Sequence, residues 1–157
     1  MLPAGGPGLD LAALHDRDEV AIAAQRRSMQ ALRTAIQSHE IHFNSNEPLP
    51  APGQDAILDD LAAELKKLAS LSSTMRVATR VTLTGHSDDT GRGTFNLSIS
   101  LARAGTVLAL LKKRGVDPDL LAVRGAGALE PLMAGSSAEA RSANRRVSFT
   151  VAIETPP

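Results

Sequence analysis

The feature that most constrains the fold of this chain is a repeated change in the period of its apolar residues. Residues 54–70 carry leucines at spacings of three and four, as on one side of an amphipathic helix, and residues 94–114 carry a second stripe of this kind. Residues 77–84 and 147–153 alternate with a period of two, which only a strand explains. Such an order within 157 residues predicts one small α+β or α/β sandwich.

Weaker signals complete the predicted fold. Residues 40–44 indicate a short strand before a proline-rich break, residues 121–123 indicate another strand, and residues 125–137 indicate a loop. The expected order is βαβαβ(α)β, a four-stranded mixed sheet with the two main helices on one face. Because strand–helix–strand connections cross over right-handedly, the first three strands should include parallel pairs.

The chain ahead of this unit divides into two parts. Residues 1–15 begin with a run rich in glycine and proline and are expected to be a flexible lead-in. Residues 16–39 contain neither residue type and have helical apolar spacing, so they predict a linker or packing helix before a domain at residues 40–154. A homodimer through this helix is the alternative, but about two heptads are too few to favour a coiled coil.

Composition excludes several classes of partner. The chain has 17 Lys and Arg against 17 Asp and Glu, and aromatic residues make up 2% of it, with no Trp or Tyr. Without a net field or aromatic faces for stacking, no nucleic-acid partner is expected. The absence of cysteine excludes disulfides, a Cys-ligated zinc site and a thiol nucleophile.

The sequence gives no sign of a membrane segment. No run approaches the roughly 20 apolar residues of a membrane span, and the first residues lack the charged and apolar regions of a signal peptide. The chain is therefore expected either to be cytoplasmic or to be a mature or excised piece of an exported protein. Contact with a membrane is expected only through parts of the protein outside this sequence.

No cofactor, metal or catalytic site is predicted. The separation of His39 and His42 puts them on opposite faces of a strand, and the His-Glu-x-x-His spacing of a helical zinc site does not occur. Ser98 and Ser100 lack the Gly-x-Ser-x-Gly setting of a hydrolase nucleophile. An enzyme is therefore not expected.

The loop between the second strand and the second long helix carries the most specific pattern in the chain. It reads Gly85-His86-Ser87-Asp88, then Gly91 and Asn96; the helix continues Leu97-Ser98 and Arg103-Ala104, and Arg124-Gly125-Ala126-Gly127, Glu130-Pro131, Arg141 and Asn144-Arg145-Arg146-Val147 follow. Over about residues 41–153 this arrangement resembles the peptidoglycan-binding C-terminal domains of OmpA, Pal and MotB. Ser87 stands where the family usually has threonine and keeps the hydroxyl.

This resemblance implies that the domain binds the peptide stem of peptidoglycan and holds its diamino acid, diaminopimelate. Asp88 would take the free ammonium, and Arg103 would take the free carboxylate. The chemistry agrees, because an ammonium needs an anion and a guanidinium binds a carboxylate bidentately. The condition is that the loop brings the two side chains together.

Other loop residues are expected to belong to the same site. Ser87 adjoins Asp88, and backbone N–H groups near Asp89 and Gly91 precede a helix N-terminus, where they add anion-binding donors. Asn96 is expected mainly to bridge backbone groups of the loop.

The basic residues before the last strand are the remaining candidates. Arg145 and Arg146 resemble the arginine pair of the family, and one should point towards the site and the other away, since strand residues alternate. Arg141 and Asn144 are weaker candidates for the same site.

The resemblance implies a non-catalytic wall anchor of a larger envelope protein, such as an outer-membrane protein, a stator or a secretion-system anchor, exposed to the periplasm. The alternative is a protein–protein assembly domain that keeps the fold without binding the wall and uses the helix before Glu40. The presence of both Asp88 and Arg103 favours wall binding.

Overall fold

The computed structural model describes residues 11–154 and places helices against one four-stranded sheet. In chain order the elements are α1 (Leu11–Ser38), β1 (Ile41–His42), α2 (Asp55–Met75), β2 (Ala78–Gly85), α3 (Gly93–Lys113), a 3-10 turn (Pro118–Leu120), β3 (Leu121–Gly125), α4 (Ala138–Asn144) and β4 (Arg146–Glu154). The sheet order is β1-β4-β2-β3. The predicted α+β class is confirmed.

The sheet is mixed, because it contains both parallel and antiparallel pairs of strands. β2 pairs in parallel with β3 and antiparallel with β4, with Leu83 opposite Phe149. β1 pairs antiparallel with the start of β4, with Ile41 opposite Val147. Parallel pairing among the first three strands therefore occurs only between β2 and β3.

α2 and α3 cover one face of the sheet and form the core with it. The core includes Leu58, Leu61, Leu65, Leu68, Val81, Leu83, Ala104, Val107, Leu111, Val147, Phe149 and Val151. The alternating residues Arg80, Thr150 and Ala152 are exposed on the other face. The leucine stripe of α2 thus faces the sheet, as its period predicted.

α3 is long and apolar enough, by length and composition, to cross a membrane, contrary to the expectation that no run approaches that length. In the fold it lies across β2 and β3, and Ala104, Val107 and Leu111 are fully buried in the core. The same helix buries Arg103. α3 is therefore a core helix of this domain.

α1 begins at Leu11 rather than Asp16, so residues 11–15 are helical and not a flexible lead-in. Residues 1–10 lie outside the described residues. The C-terminal half of α1 packs on α2 and β4. The side-chain oxygen of Gln37 accepts the backbone N–H of Val151 at 2.9 Å. Because β1 is too short to pair with this part of β4, α1 covers a strand edge that would otherwise be open.

β1 is shorter than the predicted strand at residues 40–44. On the edge of β1 that faces away from β4, the amide oxygen of Gln54 accepts the N–H of His42 at 2.6 Å and its amide nitrogen donates to the carbonyl of His42 at 2.7 Å. Phe43 forms an isolated bridge with Pro50, and its N–H donates to the carbonyl of Arg145 at 3.0 Å. The side chain of Gln54 thus takes the place of a neighbouring strand along this edge of β1.

α2 is longer than predicted and ends at Met75 rather than Ser70. The hydroxyls of Ser72 and Thr74 donate to carbonyls one turn earlier, at 2.6 and 3.1 Å, so these residues are accommodated inside the helix. Arg76, with φ of 55°, ends it in the left-handed conformation.

Candidate functional site

The signature loop leaves the carboxyl end of β2 at a point where α3 lies very close to the sheet. A Cβ added at Gly85 would lie 1.7 Å from the carbonyl oxygen of Ser100, so this approach requires glycine. Just beyond the strand, the N–H of His86 donates to the carbonyl of Arg146 at 2.8 Å. The backbone that leads to Asp88 is therefore held between α3, through the close approach at Gly85, and β4, through the hydrogen bond of His86.

Asp88 carries a buried carboxylate, with 6% of the residue exposed. Its Oδ1 accepts the N–H of Thr90 at 3.0 Å and also the Thr90 hydroxyl, and its Oδ2 accepts a hydrogen bond from Nη1 of Arg145 at 3.0 Å. Burial alone would raise the pKa of Asp88, but the hydrogen bonds from Thr90 and Arg145 outweigh it, and the net pKa is lowered. Asp88 is therefore ionised at neutral pH.

Arg103 is the largest fully buried side chain, at 1% exposed. Nε, Nη1 and Nη2 donate to the carbonyls of Glu47, His86 and Asn44, each at 3.0 Å. The guanidinium also lies 5.2 Å from the ring centroid of Phe43. Burial lowers the pKa of Arg103 to about 10, which leaves it cationic at neutral pH. Three of its five N–H donors are engaged, which leaves one on each terminal nitrogen.

The loop brings Asp88 and Arg103 together without a direct ion pair between them. Arg103 bonds the carbonyl of His86, two residues before Asp88, and lies over Phe43, whose carbonyl accepts Nε of Arg145, while the ion-pair partner of Asp88 is Arg145. Asp88, Arg103 and Arg145 are called the Asp88 cluster below. It combines one ionised acid with two cations in a largely buried setting.

The two adjacent arginines before β4 point to different places. Arg145 follows α4; its Nε donates to the carbonyl of Phe43 at 3.0 Å and its Nη1 binds Asp88. Arg146 is the first residue of β4, and its Nη2 donates to the carbonyl of Glu130 at 3.3 Å. The expectation that only one of the pair faces Asp88 thus describes the geometry, and that residue is Arg145.

Arg146 belongs to a second group of charged residues, the His86 cluster, made of His86, Arg146 and Glu130. His86 is 3% exposed, and its Nε2 shares a hydrogen bond with the hydroxyl of Ser148 at 2.9 Å. Burial, and next the charge of Arg146, lower the pKa of His86 to about 4, against an opposing effect of Glu130. Within residues 11–154, Nδ1 of His86 and Nε of Arg146 have no hydrogen-bond partner.

The other predicted loop residues mostly hold the loop in shape. The hydroxyl of Ser87 donates to the carbonyl of Asp88 at 3.0 Å, and the amide of Asn96 donates to the carbonyl of Gly91 at 3.3 Å. Gly91 has φ of 118°, which other residues rarely adopt. The N–H of Thr90 already serves Asp88, so this donor of the expected anion-binding loop is not free.

Asp89 turns away from Asp88. Its carboxylate accepts hydrogen bonds from the hydroxyl of Ser136 and from Nε of Arg141, the latter at 2.8 Å, and these bonds lower its pKa. The amide of Asn144 accepts the N–H groups of Leu132 and Met133, at 2.8 and 2.9 Å. The side chains of Arg141 and Asn144 therefore secure the loop before α4, and among the described residues they form no hydrogen bond with the side chains of the Asp88 cluster.

Sequence reasoning missed four residues that shape the site. Thr90 had a signal, because a hydroxyl residue two positions after an aspartate favours a local turn. Phe43, Asn44 and Glu47 contact Arg103 through a ring and two backbone carbonyls. Backbone contacts leave no mark on residue type, so the cover over Arg103 could not be foreseen.

A comparison with protein-family models gives a match to the OmpA family over residues 51–145. This is more than half of the chain and contains all three residues of the Asp88 cluster. The chain belongs to the OmpA family.

Curated proteins with similar sequences are consistent with this family assignment. The chain is similar to the peptidoglycan-binding protein ArfA of Mycobacterium tuberculosis, with 31% identity over 123 residues that cover 78% of this chain and 35% of ArfA. It is also similar to outer membrane protein A of Bordetella avium, with 27% identity over 85% of this chain and 66% of that protein. The chain thus spans 35% of ArfA's length, so what the whole of ArfA does is not transferred with the match.

Solved structures show the same fold. The peptidoglycan-associated lipoprotein of Burkholderia pseudomallei superposes with a TM-score of 0.66 at 19% identity, over 75% of this chain and 93% of that one. The cell wall anchor of the T6SS from Pseudomonas aeruginosa superposes with a TM-score of 0.56 at 28% identity, over 74% of this chain and 80% of that one.

Two parts of this OmpA-family chain lie outside the residues matched to the family model. The segment that covers Arg103, residues 43–47, precedes the match, and so does α1. The residues matched to the family model therefore include the three charged side chains of the Asp88 cluster. The segment that buries Arg103 and the helix α1 lie outside the matched residues.

Proposed function

We propose that this OmpA-family domain binds peptidoglycan non-covalently through the diaminopimelate of the stem peptide and anchors a larger envelope protein to the cell wall. The observation that carries the proposal is the Asp88 cluster, in which the Asp88 carboxylate pairs with Arg145 while the buried guanidinium of Arg103, bonded to the carbonyl of His86, has no carboxylate partner among the described residues. The free end of diaminopimelate carries an ammonium and a carboxylate on one carbon. Its two charges match the two partners.

The ammonium is assigned to Asp88. The lowered pKa of this carboxyl keeps it ionised, so it does not lose a proton on binding and offers a full negative charge at neutral pH. Oδ2 is the oxygen assigned to the ammonium, because Oδ1 already accepts two hydrogen bonds from Thr90 and Oδ2 accepts one from Arg145. The ammonium shares Oδ2 with Arg145 or displaces it.

The carboxylate is assigned to Arg103. The guanidinium has one N–H left on each terminal nitrogen after its three carbonyl contacts, and two such donors suit a bidentate carboxylate. Because Arg103 is 1% exposed, binding requires residues 44–47 to move aside. The site is therefore expected to open when ligand arrives.

Arg145 is assigned a positioning role. It holds the Asp88 carboxylate and ties it to the carbonyl of Phe43 before ligand binds. Its second cation also keeps the surroundings of the ligand carboxylate positive, which favours a zwitterion over a simple amine.

Relatives support the proposal by what their names state: ArfA is named a peptidoglycan-binding protein, and the Pseudomonas aeruginosa structure is described as a cell wall anchor. On this proposal the domain is non-catalytic and meets the wall in the periplasm. One stem peptide buries little area, so single-site affinity should be modest and many copies on a polymeric wall would strengthen attachment.

The test is co-sedimentation of the purified chain with sacculi. The wild type should pellet with sacculi and release no soluble wall fragments. Asp88→Asn keeps the shape but removes the charge that meets the ammonium, and we expect roughly 100-fold weaker binding. The matched control is Asp60→Asn, an exposed aspartate on α2 outside both clusters, which should bind as the wild type does. Equal binding by Asp88→Asn and Asp60→Asn would reject the assigned site, and no binding by the wild type would favour an assembly domain instead.

A further inference from the structure

At the end of the domain where α2 meets β2, α1 forms one wall of an apolar groove of about 650 Å³. Its apolar lining comes from Met29 of α1, Met75 at the end of α2, Val77, and Ile153 near the end of β4, and Arg26 contributes a cation. This groove lies outside both charged clusters. Its volume is ample for several aliphatic side chains.

α1 continues past this groove as residues 11–22, called the overhang, of which the last residue, Ile22, also lines the groove. Every residue of the overhang is exposed, and Leu11 is 75% exposed. At 3.6 residues per turn, Leu11, Leu14 and Ile22 lie within about 40° of the core residue Ile36. The apolar stripe that binds α1 to its own domain thus extends about 18 Å beyond the domain.

Charge is distributed unevenly along the same helix. The overhang has three acidic residues and one arginine, whereas residues 23–33 have three arginines and no acid. Asp18 interrupts the apolar stripe of the overhang, and Arg26 stands at the groove. Neither has an ion-pair partner among the described residues.

From this arrangement we infer that two copies of the chain pair antiparallel through α1, so that the overhang of each copy fills the groove of the other. A two-fold axis near Ile22 places Leu14 of one copy over Met29 of its partner copy. The same axis places Asp18 opposite Arg26, twice by symmetry. Both the apolar stripe and the acid that interrupts it then have partners.

The charge pattern selects the antiparallel orientation and a second copy as the occupant. Parallel pairing would set the acidic overhangs against each other, which costs free energy. An anionic bilayer would meet the same acidic segment, so it is a poorer partner than the arginine-bearing half of a second α1. The dimer does not depend on wall binding, although it would give each assembly two Asp88 clusters.

Sedimentation equilibrium of the full chain tests the inference. The wild type should approach twice its mass of 16.4 kDa at concentrations up to about 200 µM, and Leu14→Glu or Ile22→Glu should weaken pairing by at least about tenfold. Val20→Glu is the matched control, because Val20 is also exposed on the overhang but lies on the opposite side of α1, and it should pair as the wild type does. A monomeric wild type, or Leu14→Glu equal to Val20→Glu, would overturn the inference.

Charge reversal and cross-linking test the orientation. Asp18→Arg should weaken pairing roughly tenfold, and adding Arg26→Asp should restore it. Because the chain has no cysteine, Asp18→Cys and Arg26→Cys can be mixed and oxidised. Antiparallel pairing predicts a mixed disulfide dimer in preference to either self-linked dimer, whereas self-linked Asp18→Cys dimers would contradict it.

Discussion

The Asp88 cluster and the His86 cluster both lie just after the carboxyl end of β2, but the first stabilises the charged form of its central residue and the second disfavours it. In the first, hydrogen bonds hold Asp88 ionised beside two cations. In the second, burial and a neighbouring arginine suppress the charge of His86, and its acid, Glu130, is half-exposed and bonded to Arg124. The difference teaches that arginine near the strand end does not mark a ligand site. A zwitterion needs both signs of charge held in place, which only the Asp88 cluster offers.

The largest effect is expected from removing Arg103, the fully buried cation of the Asp88 cluster. Arg103→Met leaves the carbonyls of Glu47 and His86 without their side-chain donor and removes one of the two donors to the carbonyl of Asn44, so the free energy of unfolding should fall by about 3–5 kcal/mol. Arg103→Lys keeps a positive charge and three N–H donors, so its free energy of unfolding should fall by less. Urea denaturation measures both. A loss below about 0.5 kcal/mol for Arg103→Met would mean that Arg103 does not support the 44–47 segment.

A smaller effect should come from acid at the His86 cluster. The pKa of His86 is about 4 when folded against an ordinary value of 6.5, so between these values the unfolded chain binds a proton that the folded chain does not. Stability is therefore fully present above pH 6.5 and falls as the pH drops to about 4, by about 3 kcal/mol. Urea titrations across this window should show the slope in the wild type and lack it in His86→Gln. The same slope in both proteins would remove His86 as its source.

The smallest effect separates the two adjacent arginines. Arg145→Gln removes the guanidinium that positions the Asp88 carboxylate and the cation beside the ligand carboxylate, so binding to a diaminopimelate stem peptide should weaken about tenfold. Arg146→Gln changes only the other cluster, and the affinity of its folded fraction should stay within about twofold. Calorimetry of the two variants decides. An equal loss of affinity in the two variants would mean that ligand binding does not depend specifically on the Asp88 cluster.

Much of the fold could be predicted because its signals are local. The leucine stripe of α2 and the alternation of β4 depend only on period, and both elements begin within one residue of the predicted position, although α2 ends later than predicted. The errors occur at the ends of elements, as after β1, where the chain turns with Asn46 at φ of 60° and the N–H of Glu47 donates to the carbonyl of Asn44 at 3.2 Å. The early start of α1 was missed because the lead-in was extended past its glycines and prolines.

The site was less predictable than the fold. The family pattern singled out Asp88 and Arg103, and strand alternation limited the adjacent arginines to one inward residue. Nothing in the sequence indicated that Arg103 would be 1% exposed, because three backbone carbonyls and a ring from other segments bury it. Such contacts depend on the packing of residues 43–47, which residue type does not encode.

The most direct test of wall recognition compares two stem peptides by calorimetry with the wild-type chain. A diaminopimelate stem carries both the ammonium for Asp88 and the carboxylate for Arg103, whereas a lysine stem carries only the ammonium. Losing charged hydrogen bonds to Arg103 should weaken binding of the lysine stem roughly 10- to 100-fold. Equal affinities for the two stems would contradict the assignment of Arg103 and, with it, the proposed specificity of the site.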